Sequence, residues 1–121
     1  MSSEGLHAPR ERLSKETISL HQAITSLIEE LEAIDWYDQR VRATRDPALA
    51  TILAHNRDDE KEHAAMTLEW IRRQDPALEE QLRRYLFTSG AIVSAEGEGA
   101  AAPSSAPPSG SLGIGSLRGV S

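Results

Sequence analysis

Cysteine is absent from the 121 residues. Disulfides and thiolate-held metals are thereby excluded, and carboxylate oxygen and imidazole remain as metal donors, a set suited to hard or borderline ions such as iron, manganese or zinc. Aromatic residues are few: one Phe, two Trp and two Tyr. With 39% hydrophobic and 26% charged residues, this is the composition of a helical protein, not a strand-rich one. Positive charge is also short, since 13 Lys and Arg against 19 Asp and Glu leave a formal net charge of −6. Nucleic acid is a poor partner for such a chain, because binding a polyphosphate requires clustered cations that displace its counterions. Cations are the better guests. Nor is there a long apolar run at the start: residues 1–13 alternate charged and small side chains. They hold neither the apolar core of a signal peptide nor a membrane span. A cytoplasmic protein without membrane contact is expected.

What is present is helical periodicity. Ser14 is a suitable N-cap, and Leu20, Ile24, Leu27, Leu31 and Ile34 recur in three- and four-residue steps. The pattern predicts a first helix from Ser14 to about Thr44, ended by Asp46-Pro47. Pro47 is allowed in a first turn and opens a second helix whose predicted buried side carries Leu49, Ile52, Leu53, Asn56, Glu60, His63, Thr67 and Ile71. That helix should stop near Arg73, ahead of Asp75-Pro76. The short break makes the two helices antiparallel neighbours. A third, shorter helix is predicted from Pro76 to about Phe87, with Leu78, Leu82, Tyr85 and Leu86 on one side. The expected fold is all-α: a flexible N-terminus over 1–13, then a hairpin and short helix over 14–90. So small a unit leaves apolar faces uncovered, which predicts dimerisation into a four-helix bundle.

From Ser94 to Ser121, 21 of the 28 residues are Ala, Gly, Pro or Ser, the composition of a flexible chain. Residues 91–110 therefore read as a disordered linker. Apolar side chains return at Leu112, Ile114 and Leu117, so residues 111–121 read as a peptide that docks on a partner.

Glu30 interrupts the first apolar stripe, three residues after Leu27 and four before Ile34. A carboxylate on such a face must take a proton, pair with a cation or ligate a metal. Glu60 and His63 repeat the anomaly on the second helix, and at a spacing of three they share one face. Glu30 lies 14 residues before Thr44 and Glu60 13 residues after Pro47, so the hairpin sets them at matching heights. Glu-x-x-His is common in helices and alone means little. Level with Glu30, it is half of a carboxylate-bridged dinuclear site, in which each of two helices gives a Glu and each of two others a Glu-x-x-His pair. A twofold dimer would supply the other half. Such a ligand set suits Fe(II), which can pass electrons to dioxygen, and would also accept Mn(II) or Zn(II).

The neighbours carry less. Glu29 and Glu32 share a face with Trp36, away from Glu30; they are either ordinary exposed acids or a transient site that draws cations inward. Tyr37 shares the stripe of Glu30 and Ile34, as a hydroxyl donor or ligand to the metals or as packing. Trp36 reads as interface packing and His55 as exposed or a secondary metal contact.

The stretch Ile28-Glu29-Glu30-Leu31-Glu32-Ala33-Ile34-Asp35-Trp36-Tyr37, followed by His55-Asn56-Arg57 and Glu60-Lys61-Glu62-His63-Ala64, resembles the encapsulated ferritins over roughly residues 14–90. That resemblance implies a ferritin-like two-helix subunit whose ferroxidase centre forms between two subunits. Glu30, Glu60 and His63 would be the iron ligands, Trp36 and Tyr37 would flank the centre, Glu29 and Glu32 would admit iron, and His55 would be a peripheral metal contact. It also implies a ring of five dimers without a storage cavity. Leu112-Gly113-Ile114-Gly115-Ser116-Leu117-Arg118 is similar to the peptides that target cargo to the inner wall of encapsulin nanocompartments. The expected function is oxidation of Fe(II) by dioxygen inside such a shell. The rival is a non-catalytic helical cargo module stabilised by Zn(II) or calcium; a di-metal oxidase acting on an organic substrate is a third reading, for which so small a core offers no evident pocket.

Overall fold

The computed structural model describes residues 5–96. Helix α1 spans Lys15–Ala43, α2 spans Pro47–Gln74 and α3 spans Pro76–Tyr85. Among the described residues there is no strand, and no helix is long and apolar enough to cross a membrane. The helix ends follow local chemistry. Ser14 caps α1, its Oγ accepting the Thr17 N–H at 3.0 Å. Asp46 caps α2, its Oδ1 accepting from the Ala48 and Leu49 N–H groups at 3.0 and 3.4 Å. Such caps satisfy the orphan donors of a first helical turn and are worth about 1 kcal/mol each. Asp75 is held extended before Pro76, which ends α2. Each end lies within two residues of its sequence prediction.

The chain divides into two compact units at Pro76/Ala77. In the first, α1 and α2 pack side by side as the antiparallel hairpin. Its interior is thin: only Ala64 and Ile71 are buried among the described residues. Within one chain the predicted stripes are only partly covered. Ile24 and Leu31 on α1, and Leu49, Ile52 and His63 on α2, are exposed. One partner helix covers one arc of its neighbour, and the apolar residues here spread over a wider arc than that.

The second unit begins with most of α3. Leu78, Leu82 and Tyr85 are half-buried, whereas Leu86 is exposed. The helix stops at Tyr85, two residues before the predicted end, because Phe87 takes a positive φ of 62°, a conformation no helix continues. Two short 3₁₀ turns, Arg10–Arg12 and Ile92–Ser94, occupy stretches that read from sequence as flexible. Most of the predicted linker and all of the peptide 111–121 lie outside the described residues.

Candidate metal centre

Helix α2 delivers Glu60 and His63 together. Oε1 of Glu60 lies 3.5 Å from Nδ1 of His63. Two donors held by one ion at about 2.1 Å each stand roughly 3.0–3.5 Å apart, so this pair shares a cation with almost no rearrangement. The Glu60 side chain is 27% exposed and that of His63 48%, which leaves the pair accessible from outside the hairpin. On α1, Glu30 is half-buried, and its Oε1 is withdrawn from solvent with no hydrogen-bond partner. Leaving such an oxygen unsatisfied costs on the order of 1–3 kcal/mol, and more when it is charged. A cation is what its chemistry lacks. The residues thus fit a divalent metal on two independent counts.

Glu30 does not join the pair in one closed cluster. Among the described residues, no three His, Asp or Glu side chains of the chain converge on a common point. A single hairpin offers a two-donor pair and a separate orphaned carboxylate.

The other candidates spread out. Glu29, Glu32 and Trp36 are all exposed; their spacing sets them on one face of α1, turned from Glu30. Tyr37 is half-buried, with the Arg40 guanidinium 5.4 Å from its ring centroid, within cation–π range. His55 points outward, Nδ1 3.3 Å from Oδ2 of Asp59 one turn later.

A charged chain beside this site escaped the sequence reading. Arg57 on α2 reaches across to α1, its Nη1 donating to Oδ1 of Asp38 at 2.8 Å. Asp38 also accepts from Arg42 Nε at 2.8 Å. Arg57 Nε donates to Oδ1 of Asp58 at 3.0 Å, and Lys61 Nζ stands 3.4 Å from that same oxygen. The hydrogen bond from Arg42, then that from Arg57, holds the Asp38 carboxyl below its ordinary range. Arg57 does the same for Asp58, and Asp58 followed by Asp38 pushes Arg57 up. All three stay charged near neutral pH. The Asp38/Arg42 and Asp58/Lys61 spacings were visible in sequence as helical ion pairs; the link between the helices was not.

The EncFtn-like family model matches residues 5–89. The chain is 58% identical to an "Encapsulated ferritin-like protein" of Rhodospirillum rubrum over 127 residues, covering 98% of this chain and 91% of that one. It is 42% identical to the "Encapsulin nanocompartment cargo protein EncC" of Myxococcus xanthus over 99 residues, 74% of this chain and 76% of that one. Among solved structures, protein ne0167 from Nitrosomonas europaea superposes with a TM-score of 0.70 at 60% identity, covering 73% of this chain and 97% of that one.

Proposed function

Because this chain belongs to the EncFtn-like family, we propose that it is a ferroxidase, which oxidises Fe(II) to Fe(III) with dioxygen at a di-iron centre completed between two subunits. The observation that carries this reading is the Glu60–His63 pair at ligand spacing, beside a helix whose Glu30 holds an unsatisfied buried carboxylate oxygen. Two copies about a twofold axis supply two Glu-x-x-His pairs and two further Glu, the donor set of a four-helix di-iron site. The apolar surface favours that assembly. Ile52, Met66 and Trp70 on α2 and Leu31 on α1 are each at least 41% exposed, and burying a side chain of this size contributes roughly 1.5–3 kcal/mol.

Iron is the substrate. Glu60 and His63 bind Fe(II), and Glu30 neutralises the positive charge that builds as each iron gives up an electron to dioxygen. Tyr37, on the same stripe of α1 as Glu30, would offer its hydroxyl to the completed centre. Glu29 and Glu32, exposed on the outer face of α1, draw cations inward by their local field. Mn(II), Zn(II) or calcium would bind the same oxygen-rich donors.

We further propose that the chain is a cytoplasmic protein housed as cargo in an encapsulin nanocompartment; the cargo part is supported by its similarity to an encapsulated ferritin-like protein and to an encapsulin cargo protein. The shell contact falls to Leu112–Arg118. Individually weak peptides displayed on one oligomer, such as a ring of five dimers, gain avidity because each docking event raises the local concentration for the next.

Aerobic Fe(II) oxidation followed by absorbance tests the reading. Wild type should oxidise iron well above the buffer rate and Glu60→Ala should fall to it while remaining oligomeric. Oxidation retained in that variant would remove Glu60 from the site. Wild type at the buffer rate would favour the non-catalytic cargo module.

A further inference from the structure

Glu30 and the Glu60–His63 pair sit on different helices, so their separation depends on how α1 and α2 are fastened to each other. The connection between Ala43 and Pro47 fastens one end. From there to Glu60 is 13 residues, about 20 Å of helix, and a few degrees of splay at the turn becomes on the order of 1–2 Å at the ligands. Ala64 and Ile71, the only buried residues described, both lie beyond Glu60 as seen from the turn, and the residues of α2 between the turn and Glu60 are at most half-buried. Between the turn and Glu60 stands the Asp38–Arg57 hydrogen bond at 2.8 Å. Each partner is braced from a second side, Asp38 by Arg42 and Arg57 by Asp58. The Arg57 side chain is only 21% exposed, one turn before Glu60, and Asp38 directly follows Tyr37. A side chain on a helix leans toward that helix's N-terminus, which here carries Arg57 toward the turn and Asp38.

We propose that Asp38 and Arg57 are positioning residues: they set the separation of Glu30 from Glu60 and His63, and thereby the affinity of the centre for Fe(II). The affinity part rests on the reading of those three residues as iron ligands. The geometric part does not.

The test has two readouts. Because the chain has no cysteine, Gln22→Cys on α1 and Ala65→Cys on α2 give two unique labelling positions, and pulsed electron paramagnetic resonance on spin-diluted, metal-free oligomer reads their distance. Arg57→Met keeps the length and helix preference of the side chain but loses its charge. It should broaden or shift the distance distribution. It should also raise the half-saturating Fe(II) concentration roughly 10- to 100-fold, the usual scale for losing a group that orients metal ligands, with a smaller loss in kcat. Arg57→Lys, which keeps a charged donor within reach of Asp38, should recover most of both. A lower melting temperature in Arg57→Met with unchanged distances and unchanged half-saturation would make the pair merely stabilising and overturn the proposal. Wild type unable to oxidise iron would defeat the ferroxidase reading alone, and the distances would still decide the geometric part.

Discussion

Glu60 and His63 stand one helical turn apart on α2, with carboxylate oxygen and imidazole nitrogen 3.5 Å from each other, while the Glu30 carboxylate on α1 keeps one buried oxygen without a partner. A satisfied core would not leave that oxygen bare. The hairpin therefore carries a local cost that a cation, if bound there as proposed, would offset.

Glu30→Leu should make that cost measurable. In metal-free protein the substitution should raise stability by about 1 kcal/mol or more, since it removes an unsatisfied buried acceptor and adds apolar packing. Zn(II) or Mn(II) should stabilise the wild type, by about 2.7 kcal/mol at 100 times the dissociation constant, and should stabilise the variant much less. Thermal unfolding with and without metal checks both halves; a variant less stable than wild type without metal would show Glu30 to be already well satisfied.

Ile52 is 58% exposed one face away from the α1 contact. Placing a charge there, as Ile52→Asp, should cost little in the helicity of the isolated chain but should shift the oligomer toward monomer. Fe(II) oxidation should fall with it although every ligand is retained. Sedimentation velocity paired with the oxidation assay separates this from unfolding. A variant that stays assembled would place the subunit interface elsewhere.

Acid should weaken the Glu69 ion-pair cluster. Hydrogen bonds from Arg72, then Arg73, lower the Glu69 pKa to about 2 from the ordinary 4.5. A depressed folded-state value means that the stabilisation is present above about pH 4.5 and is lost as pH falls toward 2. The Glu69 side chain is 43% exposed, so solvent screens the pair and its contribution is under about 1 kcal/mol. Glu69→Gln should therefore be slightly less stable than wild type at pH 7, and the gap should close between about pH 4.5 and 2. Urea unfolding across that range measures it.

Deleting residues 111–121 should leave helicity, assembly and iron oxidation at wild-type levels while preventing uptake when the chain is co-produced with an encapsulin shell. Co-purification with the shell is the readout. Undiminished uptake would move the docking surface to the helical part.

The legible features are local ones. Ser14, Asp46-Pro47 and Asp75-Pro76 announced the helix ends, because a cap or a proline acts through its own and adjacent backbone. Glu60 and His63 were readable as a pair because three residues of helix decide their nearness without help from the rest of the chain. Glu30 was readable as an anomaly, a charge inside an apolar period.

Tertiary structure decided what depends on two helices at once. Which apolar residues are covered was one such matter: Ala64, not among the residues predicted to be buried, is buried, while Ile24, Leu31, Leu49 and Ile52 face outward. A periodic stripe says which residues share a side, but the width of the partner says how many of them it hides. The Asp38–Arg57 bond is the other. These residues are 19 apart, and their meeting depends on helix register and side-chain lean, neither of which a linear pattern encodes. The sequence by itself determined two capped helices and a carboxylate–imidazole pair. Only the folded chain showed the Glu30 oxygen withdrawn from solvent without a partner, and only the packing of α1 on α2 left the apolar surface facing outward, because that follows from how much of each helix the other can cover.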